Sequence, residues 1–300
     1  MKKKTYLFAL MAMVLTLGSC SDNENGIGGE TSKYITVSTS IGNMTRVATD
    51  AKGGQTFEEG DEISVYAWTG APTVAPETSE RVVNNAINKL TNGTWVSTPQ
   101  MLWKNNREKH YFIGVYPTAA ISDLSAGEYT FDVNKQTESD LLVAVNPDGL
   151  SYSADAQQTV PLTFTHVMAK LAVNLTYKNQ WGGIPTVEKV VVGNAAKEAT
   201  INYLTKVVTP STTAKEDFSL PEITENTKYV SVIIPQEDVK QLTIVIGGKD
   251  FIYDNSTPFK LESGKITTVN LEVGRDEIKL GDVKITDWED GSTFSGEALN

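Results

Sequence analysis

Apolar and polar residues alternate with a period of two along most of this chain. The segment 33–41 shows the pattern most clearly. An extended strand would place four of its side chains on one face: Ile35, Val37, Thr39 and Ile41. Similar short segments recur almost to the end of the sequence. The pattern predicts an all-β protein whose first strand begins close to residue 33.

Further strands are predicted where β-branched and aromatic residues cluster between turn residues. These segments are residues 62–68, 110–116, 141–145, 187–192, 229–234, 242–246, 251–253 and 267–273. Asn92-Gly93 and Gly247-Gly248 are typical of tight hairpin turns. No long stretch has helical periodicity, and only residues 80–90 are compatible with a short helix. Short strands with regular turns are typical of β-sandwiches.

Residues 160–175 contain two apolar sets that one regular strand cannot bury together, because neighbouring side chains point to opposite faces. The even-numbered set is Val160, Leu162, Phe164, His166 and Met168. The odd-numbered set is Val167, Ala169, Leu171, Val173 and Leu175. Either a bulge or a strand that leaves one sandwich and enters another would explain the change. We therefore predict two β-sandwich domains, residues 33–165 and 166–300.

The N-terminus has the features of a bacterial lipoprotein signal peptide, residues 1–19. Three lysines precede an apolar run over residues 6–17, which is shorter than the roughly 20 residues that a membrane-spanning helix needs. The run ends in Leu-Gly-Ser-Cys, so Cys20 is the predicted lipid attachment site. The alternative is an ordinary signal peptide with an incidental cysteine. Residues 20–32 are polar and glycine-rich, which predicts a flexible lipidated tether.

Charge and motif content argue against several functional classes. The net charge of −11 disfavours nucleic acid and anionic membrane surfaces as partners. Cys20 is the single cysteine, so an internal disulfide is excluded. No nucleotide-binding, serine-hydrolase or zinc-protease motif is present, and no cofactor or metal is expected. His110 and His166 both lie in predicted strands, where a structural role is expected.

Five tryptophans allow two interpretations: Trp68, Trp95, Trp103, Trp181 and Trp288. Their distribution over predicted strands and turns favours core residues. A carbohydrate-binding platform is the alternative, because aromatic faces also stack on sugars. Exposure of the first three on one face would support that platform, and their burial would count against it.

Several segments together resemble the fimbrillin (Mfa-like, type V pilin) family of anaerobic Gram-negative bacteria. The lipobox ending at Cys20 is one of them, and residues 57–66 are similar to the family signature F-x-x-G-D-x-I-x-V-Y. Further similar segments are residues 92–95, 101–103, 110–117, 140–144, 160–171 and 285–288. Together they extend over most of the chain in the expected order.

The resemblance implies two transthyretin-like β-sandwiches in a non-enzymatic fimbrial subunit on the outer-membrane surface. It implies lipidation at Cys20 and cleavage after an arginine in the loop that follows the first strand. The matching bond is Arg46-Val47. Loss of the first strand then opens a groove for a donor strand from another subunit. A loop arginine without this role is the alternative interpretation of Arg46.

The source of a donor strand, the place in the filament and the adhesion ligand are left open by the sequence. In polymerising members of the family the C-terminal segment donates. Here a parity change between Leu280 and Val283 predicts a turn at Gly281-Asp282 and two short strands within residues 277–300. A stalk, a tip and an uncleaved anchor therefore remain open. So does a monomeric glycan-binding lipoprotein, and the ligand is either a host protein or a glycan.

Overall fold

The computed structural model describes residues 33–42, 56–153 and 158–288. The strands in these residues are β1 (Thr36–Ile41), β2 (Glu62–Thr69), β3 (Val83–Thr91), β4 (Thr94–Thr98), β5 (Lys109–Tyr116), β6 (Gly127–Thr130), β7 (Leu142–Ser151), β8 (Thr159–His166), β9 (Ala169–Tyr177), β10 (Lys189–Ala196), β11 (Glu198–Asn202), β12 (Val207–Pro210), β13 (Lys215–Ser219), β14 (Glu222–Thr224), β15 (Lys228–Ile233), β16 (Gln236–Ile246), β17 (Lys249–Leu261), β18 (Lys265–Val273) and β19 (Ile278–Asp287). The helical segments are one α-turn, α1 (Gln136–Ser139), and the 3-10 turns Thr78–Glu80 and Asn179–Trp181. The all-β prediction is confirmed. In this part of the chain no helix has the length and apolarity to cross a membrane.

Seven strands form the first sheet, in the order β1-β8-β7-β5-β2-β3-β4. All neighbours are antiparallel except β1 and β8, which are parallel. The hairpin between β3 and β4 turns at Asn92 and Gly93, whose φ angles of 51° and 72° suit a tight turn. The predicted turn at Gly247-Gly248 likewise connects β16 and β17.

The prediction of a helix over residues 80–90 is wrong, because this segment forms β3. A bulge explains the error. Val65 and Ala67 in β2 pair with Ala86 and Val83, so two β3 residues lie opposite one β2 residue. The bulge includes Asn85, which has a φ of 55°. It spaces the buried Val83 and Ala86 by three residues, and this spacing resembles one turn of a helix.

Residues 160–175 pass from one sheet to another. β8 belongs to the seven-stranded sheet, whereas β9 lies at the centre of a five-stranded sheet with the order β14-β15-β9-β18-β19. The change of sheet explains the parity change, since Val160, Leu162 and Phe164 face one core whereas Met168 and the odd-numbered set face the other. A four-stranded sheet, β13-β10-β16-β17, and a three-stranded sheet, β12-β11-β6, complete the described fold. β6, which precedes the predicted domain boundary at residue 166, pairs with β11, which follows it. The division into two tandem domains stays a prediction.

The seven-stranded sheet separates two hydrophobic cores. The smaller, here called the N-terminal core, consists of Ile35, Val37, Ile63, Val65, Ala67, Val83, Ala86, Trp95, Met101, Trp103, Phe112, Leu142, Ala144, Val160, Leu162 and Phe164. The larger, here called the main core, is built mostly from the other sheets. Strand β2 contributes to both, because Ile63 and Val65 face the N-terminal core whereas Tyr66 and Trp68 face the main core.

The C-terminal strand β19 is one strand of ten residues, so the predicted turn between two short strands is wrong. β19 pairs antiparallel with β18, and Val269 and Leu271 pair with Val283 and Leu280. Two residues, Gly281-Asp282, therefore lie opposite one residue of β18. This bulge absorbs the parity change without ending the strand.

Candidate functional site

The first strand lies at one edge of the seven-stranded sheet. β1 pairs with β8 from Thr36 opposite Thr159 to Ile41 opposite Phe164. The other neighbour of β8, strand β7, pairs only with residues 164–166. Among the described strands, β1 is therefore the sole ladder partner of residues 159–163.

The residues just before β1 pair with a different part of the chain. Ile35 donates its backbone N–H to the carbonyl of Met101 at 2.9 Å, and the N–H of Trp103 donates to the carbonyl of Lys33 at 3.1 Å. We call this short antiparallel pairing of residues 33–35 with residues 101–103 the N-terminal clasp. The first strand is thus fixed at its start by the clasp and along its length by β8.

The predicted inner face of the first strand is confirmed. Ile35 and Val37 are only 1% and 6% exposed, and Ile41 packs against the same core. The alternate side chains Ser38 and Ser40 are exposed, and the Ser40 hydroxyl donates to the hydroxyl of Thr163 on the outer face. The alternation allows β1 to complete a buried core while its other face meets water.

An aromatic cluster surrounds the C-terminal end of β1. The ring of Phe57 makes edge contacts with three others, at centroid distances of 5.1 Å to Phe164, 5.3 Å to Trp95 and 5.4 Å to Tyr116. Ile41 pairs with Phe164 and packs on the same core. These rings provide an apolar surface under the strand.

A side-chain contact connects β1 to the opposite end of the sheet. The indole Nε1–H of Trp95, in β4, donates a hydrogen bond to the Thr39 hydroxyl at 3.0 Å. Because β4 and β1 are the two end strands of the sheet, the sheet curls until its ends meet across this bond. β1 therefore fills the gap between β8 and β4 and closes the N-terminal core.

The polar side chains beside this core favour uncharged forms. Burial lowers the pKa of His110, whose Nε2 accepts the backbone N–H of Lys104 at 3.1 Å. The imidazole packs edge-on against Trp103 in the clasp, at 5.0 Å. Burial, followed by the nearby Asp61 carboxylate, raises the pKa of Tyr116. The site is thus suited to an apolar strand rather than to a charged ligand.

The potential metal ligands and the two histidines of the described ranges have the following surroundings. These ranges contain no group of three or more His, Cys, Asp or Glu residues placed to hold a metal. His166 is buried, its Nδ1 lies 2.8 Å from the Asp140 carboxylate, and its ring stacks on Trp288 at 4.0 Å. Both histidines therefore have structural environments, as predicted.

The three tryptophans proposed for a sugar platform are buried. Trp68, Trp95 and Trp103 are 2%, 9% and 8% exposed, and Trp68 faces the main core whereas the other two belong to the N-terminal core. They share no exposed face on which a sugar ring could stack. This arrangement counts against a glycan site built from them.

The predicted modification sites Cys20, Arg46 and Val47 lie outside the described residues, as do the signal peptide and the tether through residue 32. Arg46 follows the last residue of β1 by five positions in the sequence. A cut after Arg46 would therefore separate β1 from the rest of the chain. Cleavage at this bond stays a prediction.

Two features of the site were missed by sequence reasoning. The clasp gives no local signal, because Leu102 and Trp103 sit in a segment without strand periodicity. The alternation placed Thr39 on the inner face, but nothing local identified Trp95, 56 residues away, as its partner. Threonine at an otherwise apolar inner position was the one available signal of a buried hydrogen bond.

Comparison with known proteins gives consistent results. Residues 45–288 match the model of the fimbrillin-like family. Fim1C of Bacteroides uniformis, a candidate fimbrium subunit, is 24% identical over 317 aligned positions, which cover 97% of each chain. These relatives are fimbrial proteins rather than enzymes, in agreement with the non-enzymatic prediction.

Solved structures share the fold. A candidate cell adhesion protein of Bacteroides ovatus has a TM-score of 0.62 at 18% identity, covering 85% of this chain and 98% of its own. A candidate cell adhesion protein of Bacteroides uniformis has a TM-score of 0.59 at 19% identity, covering 78% and 93%. With the family match extending over most of the sequence, this all-β chain belongs to the fimbrillin-like family.

Proposed function

We propose that this chain is a structural subunit, stalk or tip, of a cell-surface fimbria, and that it assembles by exchange of its first strand. The observation that carries the proposal is the position of β1. Among the described strands, only β1 lies between β8 and β4, and it is on the N-terminal side of Arg46 in the sequence. The relative Fim1C, a candidate fimbrium subunit, supports the fimbrial role.

The proposed maturation has three steps. Lipid attached at Cys20 anchors the precursor in the outer membrane at the cell surface. A protease then cuts between Arg46 and Val47. The first strand leaves with the lipidated segment 20–46, and the rest of the chain is incorporated into the fimbria.

Physical chemistry couples the departure of β1 to its replacement. Full burial of an aliphatic side chain stabilises a fold by about 1.5–3 kcal/mol, and both Ile35 and Val37 are almost completely buried. Without β1 these pockets and the backbone groups of residues 159–163 meet water, which creates a sticky sheet edge. A strand from another subunit restores both the ladder and the apolar contacts.

The proposed partners are other fimbrial subunits, bound by strand exchange, and the outer membrane, bound by the N-terminal lipid. A role in adhesion to a host protein or glycan accompanies the fimbrial function. Within the candidate donor segment 277–300, residues 278–287 form β19, which occupies its own sheet beside β18. Donation would require β19 to leave that position.

The test is the N-terminal residue of the protein sheared from the cell surface. Val47 as the first residue, together with the loss of filaments in the Arg46→Ala variant, supports the proposal. The Arg46→Lys variant should retain filaments only if the protease accepts lysine. Lipidated Cys20 on a monomeric protein would overturn strand exchange. That result would instead favour an uncleaved anchor or a monomeric glycan-binding lipoprotein.

A further inference from the structure

We propose that Trp95 selects the strand that fills the vacated groove, by requiring a hydrogen-bond acceptor at the position now held by Thr39. The inferred occupant is a strand of another fimbrial subunit with apolar side chains at the positions of Ile35, Val37 and Ile41. Between the last two it carries a hydroxyl or amide oxygen. This inference rests on the proposed function and adds a specificity determinant to it.

The geometry distinguishes Thr39 from the other inward positions of the first strand. Ile35, Val37 and Ile41 contact the apolar N-terminal core, whereas Thr39 accepts the Trp95 indole N–H at 3.0 Å. Trp95 is 9% exposed and is held by the edge contact with Phe57. The donor is thus fixed in place and directed into the gap that β1 fills.

The chemistry of the indole group makes the requirement selective. Its N–H is a donor only, so an ammonium or guanidinium side chain cannot satisfy it. The bond is partly buried, so an apolar side chain at this position would shield the indole N–H from water and leave it without a protein acceptor, which is unfavourable. A serine, threonine, asparagine or glutamine oxygen satisfies the donor.

The same bond fixes the register of the incoming strand. A slip of one residue would turn every apolar side chain to the outer face, which the core already prevents. A slip of two residues keeps the apolar face inward but places a different side chain beside Trp95. The acceptor at a single inner position therefore distinguishes the correct register from its nearest apolar alternatives.

The test uses the full chain with a site-specific protease sequence in place of residues 43–48. After cleavage, the nicked protein is challenged with labelled peptides that have the sequence of residues 33–42. The peptides carry threonine, serine or valine at position 39, and captured peptide is measured by its dissociation rate. We expect the Thr39→Val peptide to dissociate about tenfold faster than the parent, and the Thr39→Ser peptide to remain close to it.

Two controls isolate the bond. A Thr36→Val peptide carries the same substitution on the outer face, where the Thr36 hydroxyl contacts the Thr159 hydroxyl and the Gln158 carbonyl, and its dissociation should change much less than tenfold. In a Trp95→Phe protein the threonine and valine peptides should be captured equally. The discrimination should therefore depend on both the acceptor and the indole.

The outcomes separate this inference from the function on which it rests. Equal capture of the threonine and valine peptides by the protein with Trp95 overturns the inference and leaves strand exchange intact. Failure to capture any peptide overturns strand exchange, and the inference with it. The intact chain provides a second measurement: urea midpoints of Thr39→Val, Trp95→Phe and the double variant must show coupling, and additive effects would contradict the role of Trp95.

Discussion

β1 and β19 are both edge strands near the ends of the chain, yet they contribute very differently to the fold. β1 buries Ile35 and Val37 together with its preceding clasp, whereas Val283 and Ile285 of β19 remain 39% and 38% exposed. One strand completes a core and the other mainly covers a sheet edge. Edge position alone therefore does not identify a strand whose loss opens a groove.

The ladders show the same contrast. Within the described part of the chain, residues 159–163 of β8 pair with β1 alone, but β18 pairs with β9 on one side and β19 on the other. Loss of β19 would leave β18 in its sheet. Loss of β1 would leave a five-residue segment of β8 without a neighbour, so the fold depends more strongly on the shorter strand.

An aromatic anchor follows the C-terminal end of β19. Trp288, directly after the strand, is 4% exposed and stacks on His166. The Lys170 ammonium lies 4.1 Å from the ring centroid, in a cation–π contact. β1 is held by an edge ladder and a buried inner face, whereas β19 is held by its ladder with β18, by partly buried Ile278 and Leu280, and by the buried Trp288 that follows it.

The strongest test of this comparison places a carboxylate in each strand. Val37→Asp buries a charge in the N-terminal core and should lower the free energy of unfolding by at least about 3 kcal/mol. Val283→Asp, the matched change in β19, should alter it by less than about 1 kcal/mol. Urea unfolding of both variants measures the difference, and equal losses would contradict the contrast. If the Val37→Asp variant does not fold, the free energies of unfolding of Val37→Ala and Val283→Ala provide the same comparison, with the larger loss again expected for Val37→Ala.

Removal of the terminal anchor should loosen β19 alone. Trp288→Ala deletes a buried aromatic side chain and should lower the free energy of unfolding by about 3 kcal/mol. Hydrogen exchange should show lost protection in β19 while the amides of β1 stay protected. Faster exchange in both strands would show that the two edges are not independent.

A pair of glycine substitutions compares the packing beneath the two strands. A Cβ on Gly114 of β5 would lie 2.6 Å from the Phe164 ring, under the end of β1, so Gly114→Ala should cost about 1–3 kcal/mol. A Cβ on Gly281 of β19 would lie 3.3 Å from the Asn270 carbonyl oxygen, and we expect a smaller loss. Thermal unfolding of both variants measures the two losses of stability. A larger loss for Gly281→Ala than for Gly114→Ala would contradict the expected difference in packing.

The mildest test changes pH. Burial holds the folded-state pKa of His110 below the unfolded value of about 6.5, so the unfolded chain binds more protons as pH falls. The resulting stability is present above about pH 6.5 and is lost gradually below it. The protection factors of amides in the clasp, which packs on His110 through Trp103, should fall on acidification once the slower intrinsic exchange at low pH has been corrected for. The His110→Gln variant should show a weaker dependence of clasp protection on pH. The same dependence in the variant would show that other titratable groups cause it.

Local alternation was sufficient to predict the inner face of β1, the hairpin at Asn92-Gly93 and the two apolar sets that meet near residue 166. It failed where a bulge altered the period, as in β3 and at Gly281-Asp282. Period reports only the direction of side chains along one segment. The partner of each segment depends on distant residues, and for this reason the clasp and the bond from Trp95 appeared only in the structure.

Burial of β2 on both faces has a consequence for how this sequence can diversify. In β19 many positions face water, and substitutions at those positions should change the free energy of unfolding only slightly. In β2 a change at Val65 disturbs the N-terminal core, and a change at the adjacent Tyr66 disturbs the main core. Mutational drift is thereby excluded from the central strands. Variation in the outer surface is thereby directed to loops and to exposed edge strands such as β19.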